Sequence, residues 1–229
     1  MSRKTSFLIY AIFMLQMTVH VKSQSTIPNP DPLRFQTEIN TFVKWDQKNS
    51  TPTNAILFIG SSSIRMWQTH NSFPDLPIIN RGFGGAHISD IIYYYNQVIQ
   101  QYDADIIIFY CGDNDIAAGK SVEQVIQDYK ILIKQILTDM PDVHFIYMPI
   151  KPSVSRWHFW DKMNTVNQMI REYNEANDQL DYLDTATVLL NSNGEPDPDL
   201  LLTDGLHLNE KGYSLWNTLF IQYFKAMEE

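Results

Sequence analysis

Apolar residues fall into two alternating rhythms along the chain. Short unbroken runs at 55–60 (AILFIG), 105–111 (DIIIFYC) and 143–150 (VHFIYMPI) stop at glycine or at polar turns, the pattern of strands buried on both faces. Two weaker runs, 77–80 and 180–185 (LDYLDT), read as a second and a fifth strand. Between them the apolar positions recur at helical spacing over 88–101, 121–140, 159–178 and 209–225, and Phe35, Ile39, Phe42 and Val43 suggest an earlier helix ending near Lys48. Ser121 and Gln124 form a capping box at the head of the 121–140 helix, and Gly212 is tolerated near the start of the last one. Strands alternating with helices predict an α/β fold, a doubly wound three-layer α/β/α sandwich around a parallel sheet of about five strands. After a Pro-rich entry (Pro28, Pro30, Pro32), no repeat, linker or low-complexity tract follows residue 30, and residues 24–229 read as one domain.

The first 23 residues have a different character. Arg3 and Lys4 precede an apolar stretch from Phe7 to Val19, and small Val21 and Ser23 flank a cleavage point before Gln24. That is the layout of a secretory signal peptide, and the stretch is short for a membrane anchor, so a secreted or periplasmic protein is expected. The formal net charge of −9 becomes about −12 once the three leader cations, Arg3, Lys4 and Lys22, are removed. Such an acidic chain repels the phosphates of nucleic acids and of anionic membranes. A single cysteine, Cys111, excludes an intrachain disulfide and a cysteine-rich zinc site.

In an open parallel sheet, ligands meet the loops at the carboxyl ends of the strands. Ser61, Ser62 and Ser63 follow the first strand; Gly82, Gly84, Gly85 and His87 the second; Gly112, Asp113, Asn114 and Asp115 the third. Lys151 and Ser153 follow the fourth, and Asp204 and His207 precede the last helix. A hydroxyl, an imidazole and a carboxylate on one edge are the parts of acyl transfer. The histidine takes the serine proton while the carboxylate fixes its tautomer. Donors for an oxyanion are available at the Ser62 N–H, the Gly85 N–H and the Asn114 side-chain amide. Residue type leaves the three serines open. Ser61 lies close to the strand and Ser63 reads as a helix cap, which narrows the choice toward Ser62 without settling it.

ILFIGSSSIRMW, INRGFGG, FYCGDND and DGLHLNEKGY, in this order, resemble the four blocks of the SGNH (GDSL-like) hydrolases. The resemblance implies a flavodoxin-like sandwich with Ser62 as nucleophile, Asp204 and His207 completing the triad, and Ser62, Gly85 and Asn114 forming the oxyanion hole. It implies no metal and no cofactor. One position departs from the family pattern: Ser61 stands where an aspartate usually follows the glycine. The expected activity is hydrolysis of short acyl esters, acetyl above all, on a carbohydrate or another small substrate. A lysophospholipase, thioesterase or peptidase on the same machinery is the alternative, as is a non-catalytic glycan-binding module. A phosphate or nucleotide binder is a weaker third.

Other residues carry competing readings. Asp113 and Asp115, with no histidine beside them, read as a solvated loop rather than a metal site. Arg65, Arg81, Trp157, Trp160, Lys151 and Ser153 either line a substrate pocket or pack around the site. His70, His87, His144 and His158 read as surface or supporting groups, with His87 in reserve as a base. Gly119-Lys120-Ser121 is not a phosphate-binding loop, because Gly112 lies seven positions upstream where five are required, and the 82–85 glycine turn lacks the third glycine of a dinucleotide fingerprint.

Overall fold

Each strand alternates its side chains between two covering layers, and this alternation decides where everything else packs. The computed structural model describes residues 26–227, so the leader expected over residues 1–23 lies outside them. Five strands, β1 (Ala55–Gly60), β2 (Ile78–Gly82), β3 (Ala104–Tyr110), β4 (His144–Tyr147) and β5 (Leu180–Tyr182), form one sheet in the order β2-β1-β3-β4-β5. All four pairings are parallel. Leu57, Ile59, Ile107, Phe109, Phe145 and Tyr147 point to one face. Ile56, Phe58, Ile108, Tyr110 and Ile146 point to the other.

The first face is covered by α1 (Gln36–Asp46), α4 (Ile88–Tyr93), α6 (Val122–Asp139) and α7 (Trp160–Asn174). The second is covered by the short α2 (Ser62–Arg65) and α3 (Thr69–Ser72) and by the final helix α8 (Glu210–Met227). A brief helix, α5 (Asp113–Ala117), follows β3. The capping box of Ser121 and Gln124 opens α6 as the sequence indicates. Three layers around an all-parallel sheet match the expected architecture.

The predicted helix over 88–101 is broken. After α4 the chain rewinds into a π-helical turn, Asn96–Gln100. Tyr94 and Tyr95 are adjacent and both almost wholly buried, yet neighbours on an α-helix point about 100° apart. A change of winding lets both face the core together with Val98 and Ile99.

The carboxyl end of β1 is the tightest point of the sheet edge. Gly60 adopts φ +143°, and a β-carbon there would lie 2.0 Å from the carbonyl oxygen of Tyr110. The strand thereby turns sharply, with the Ser61 N–H donating to that same carbonyl at 3.0 Å. An added methyl meets both a forbidden dihedral and a fixed backbone oxygen. Gly60→Ala is therefore expected to cost at least about 3 kcal/mol of stability. Urea unfolding measures this, and an unchanged midpoint would contradict the geometry.

Candidate active site

The turn after β1 begins with Ser61 at the cap of α2, its carbonyl accepting from the N–H groups of Ile64 and Arg65 at 3.0 and 3.1 Å. Ser63 lies inside the first turn of α2 and is buried, so the expected cap at Ser63 is corrected: the cap position is Ser61, and its own hydroxyl, fully buried, has no hydrogen-bond partner among the described residues. Between them the Ser62 Oγ stands 3.0 Å from Nε2 of His207. The other imidazole nitrogen, Nδ1, is 2.6 Å from Oδ2 of Asp204. Oδ1 of Asp204 accepts from the backbone N–H groups of Leu206 and His207, so the carboxylate is fixed by its own turn. Asp204 is about half exposed, yet its pKa is held down to about 2, first by the His207 side chain and then by its N–H. Of the three serines, the structure brings Ser62 to the histidine.

The 204–207 loop is held from three sides. The Leu202 N–H donates to the His207 carbonyl at 2.7 Å, and Ser155 N–H to the Gly205 carbonyl at 3.0 Å. Lys151 Nζ donates to the Leu206 carbonyl. Lys151 is buried, and that burial pulls its pKa down to about 8. Asn209 then caps α8 through its Oδ1, bonded to the N–H groups of Lys211 and Gly212. From α8, the Tyr213 hydroxyl reaches back to the Ser63 carbonyl at 2.9 Å, joining the histidine loop to the serine turn.

The donors lie opposite. Gly85 has φ +82° and open space where a β-carbon would be. Among the described residues, neither the Ser62 N–H nor the Gly85 N–H has a hydrogen-bond acceptor. The Asn114 Nδ2 donates one hydrogen to the Ala86 carbonyl at 3.0 Å, which leaves its second hydrogen free. A hydroxyl whose proton an imidazole is poised to take can attack a carbonyl, and the unpaired N–H donors beside it can hold the resulting oxyanion.

Asp113 and Asp115 correct the reading of a solvated loop: both are buried and both are paired. Asp113 Oδ2 accepts from Arg156 at 2.6 Å. Asp115 meets Lys120 Nζ at 2.9 Å, and Lys120 also meets Asp128 at 2.7 Å. A histidine does stand beside Asp115, with His87 Nδ1 3.6 Å from Oδ1, yet no group of three or more metal-ligating side chains occurs among the described residues. Burial raises the Asp115 pKa to about 6 against the pull of Lys120. Asp115 also accepts from the Ile88 N–H at 3.2 Å, pinning the glycine turn to the start of α5.

The remaining residues sort themselves. Arg81 is tied to Asp46 and Tyr102 and lies over the Phe42 ring, so it packs rather than lining a pocket. Arg65 rests its guanidinium against Gly84 and faces Glu38 at 3.7 Å. Trp157 and Trp160 stack on each other at 5.5 Å, and Trp160 lines a cavity of about 370 Å³ with Arg171, Tyr182 and Asp184, to which Ser62 and His207 do not contribute. Ser153 is buried. His144 bonds to Asp181 and Tyr223 at 2.9 Å each, while His70 and His158 are exposed. Sequence reasoning passed over Asn80, whose side chain bonds to the Ile64 carbonyl and the Gly82 N–H, and over Arg156, whose only signal was a cation in the loop after β4.

The model of the GDSL-like lipase/acylhydrolase family matches residues 63–215. Among solved structures, the chain is similar to a protein from Streptococcus pneumonia with the provisional name platelet activating factor, at 23% identity and a TM-score of 0.74, covering 83% of this chain and 93% of that one. It is similar to an acetyl esterase variant holding an acetate ion, at 18% identity and TM-score 0.60 over 76% of this chain and 99% of that one. A carbohydrate esterase family 3 structure from Talaromyces cellulolyticus matches at 18% identity and TM-score 0.59, over 76% and 97%. At these identities the structures establish the fold. No curated protein matches the chain in sequence.

His87 generates a test of the buried charges. Burial first, and then the positive charge of Lys120, lower its pKa from 6.5 to about 4. Between these values the unfolded chain binds a proton that the folded ring refuses. The contribution of neutral His87 is complete above about pH 6.5 and is lost as pH falls toward 4. Urea unfolding at pH 7 and pH 4.5 should show His87→Gln losing less stability on acidification than the parent, by at most about 3 kcal/mol. An equal loss in both proteins would mean that His87 is charged in the folded state.

Proposed function

The chain belongs to the GDSL-like lipase/acylhydrolase family and is a carboxylic ester hydrolase, and on that premise we propose that it removes short acyl groups, acetyl above all, from carbohydrates or other small polar molecules, with Ser62 as nucleophile. The observation that carries the assignment is the continuous hydrogen-bond chain from Ser62 Oγ through His207 to Asp204, at 3.0 and 2.6 Å. Similarity to an acetyl esterase and to a carbohydrate esterase supports the choice of substrate.

In this mechanism Ser62 Oγ attacks the ester carbonyl carbon while its proton passes to Nε2 of His207. Asp204 keeps the other nitrogen protonated and stabilises the imidazolium. The carbonyl oxygen, now an oxyanion, accepts hydrogen bonds from the Ser62 and Gly85 N–H groups and from Asn114 Nδ2. Collapse of the tetrahedral species expels the alcohol, which takes the proton from His207, and leaves the acyl group on Ser62. Water, deprotonated by His207, then attacks the acyl-enzyme and releases the acid with Ser62 restored. No step calls for a metal or a cofactor.

We also propose that the protein is exported and begins at Gln24, on the strength of the basic start, short apolar stretch and small residues of the first 23 positions. No helix among the described residues is long and apolar enough to cross a membrane. N-terminal sequencing of protein from the exported fraction should begin at or near Gln24. Recovery of an intact Met1 in membranes would refute the cleavage.

Fluorophosphonate labelling tests the nucleophile. Ser62→Ala should lose both labelling and turnover of p-nitrophenyl acetate, whereas Ser61→Ala and Ser63→Ala should still be labelled. His207→Ala should abolish turnover, and Asp204→Asn should retain a small residual rate because the carboxylate orients rather than transfers. An adduct mapped by mass spectrometry to another residue would overturn the assignment, and faster turnover of long acyl chains than of acetyl would overturn the substrate class.

A further inference from the structure

A carboxamide has two ends of nearly the same shape and opposite character. Only the NH2 end of Asn114 can donate to an oxyanion. Turned over, the same side chain would present its carbonyl oxygen and repel the charge that develops there. Something in the structure must therefore fix which end faces the substrate.

Two contacts do so. The Ala86 carbonyl accepts from Nδ2 at 3.0 Å, and a guanidinium nitrogen of Arg156 donates to Oδ1 at 2.9 Å. In the flipped amide both contacts would become like against like. The other terminal nitrogen of Arg156 donates to Oδ2 of Asp113 at 2.6 Å, so the planar fork grips two successive side chains at the start of α5. Asp113 is buried and Arg156 is only 19% exposed at its side chain, so this ion pair is largely shielded from water. A cation bonded to Oδ1 also draws electron density away from the amide nitrogen and strengthens its free N–H as a donor.

Arg156 is placed by the same loop that holds the histidine. The neighbouring Ser155 N–H donates to the Gly205 carbonyl, and Lys151 donates to the Leu206 carbonyl. The segment after β4 thus reaches the base on one side and the oxyanion amide on the other.

We infer that Arg156 is a positioning residue that sets the orientation and donor strength of Asn114, acting on the transition state through that amide without touching the substrate. The inference rests on the role proposed above for Asn114 in the oxyanion hole.

The test is a double-mutant cycle on the full chain with p-nitrophenyl acetate, using Asn114→Ala, Arg156→Ala, Arg156→Lys and the double variant Asn114→Ala/Arg156→Ala. Asn114→Ala should lower kcat by about a hundredfold with KM little changed. Arg156→Ala should lower kcat by about tenfold or more, again with KM within about twofold, and tens of millimolar guanidinium ion should restore part of the rate. Arg156→Lys, which keeps the charge and loses the fork, should fall between the parent and Arg156→Ala. In the Asn114→Ala background the change at Arg156 should cost less than about threefold, because the amide through which it acts is gone. A full tenfold cost in that background would overturn the inference, as would a change confined to KM, which would make Arg156 a substrate contact. Thermal melts identify any variant that fails to fold. Should Arg156→Ala be one, Arg156→Lys alone decides, since parental kcat in that variant would overturn the role of the fork. If Asn114→Ala itself leaves kcat unchanged, the oxyanion reading fails first; if Asn114→Ala is impaired and Arg156→Ala is not, only this inference fails.

Discussion

A sheet whose strands all run one way sends every chain crossing over a layer of helix, and it leaves one edge where five carboxyl ends arrive together. At that edge the backbone runs out of ladder partners, so loops there must settle their polar groups by other means. The Ser61 N–H finds the Tyr110 carbonyl of the adjacent strand, and the Phe83 N–H finds the Gly60 carbonyl. Among the described residues, the N–H groups of Ser62 and Gly85 are left without an acceptor. The candidate centre lies where the architecture leaves donors over, and Gly60, with no room for a side chain, brings the chain to it.

Charge inside this edge serves orientation more than stability. Replacing buried ion pairs by apolar groups often leaves a fold no weaker, whereas removing one partner strands the other in a poor medium. Here the pairs lie at junctions between loops. Asp115 and Lys120 join α5 to the start of α6 while Asp115 also accepts from the head of α4. Arg156 joins the loop after β4 to Asp113 and Asn114. Lys151, buried and with no carboxylate at hydrogen-bond distance among the described residues, directs its charge to the Leu206 carbonyl. Each replaces a flexible hinge between segments with a directional contact.

Much of this was legible beforehand because the signals were local. AILFIG and DIIIFYC are uninterrupted apolar runs, and both became central strands. Asp204 and His207 lie three positions apart in one turn, so their contact needed no knowledge of the fold. What stayed hidden depended on distance. The break after α4 arises because two adjacent tyrosines must both reach a core built by other segments. Asp113 and Asp115 read as solvent-facing because their partners, Arg156 and Lys120, are recognisable only once loops are brought together. The cap fell to Ser61, two residues before Ser63, because Gly60 turns the strand sooner than residue preference implied.

The bond between Ser62 and His207 spans 145 residues of chain. Its ends are brought together by α8, through Tyr213 on the serine turn and through Trp216 and Phe220, which pack with Trp67 from the same turn. Closing so long a loop costs entropy that one hydrogen bond does not offset, so the pair draws on the docking of the outer helix as well as on the contacts that hold the 204–207 loop. With Ser62 and His207 in the roles proposed above, turnover is consequently a gauge of whether α8 is docked. A disturbance that lifts α8 from the sheet would part Ser62 from His207 while most of the core, on the opposite face, is still in place.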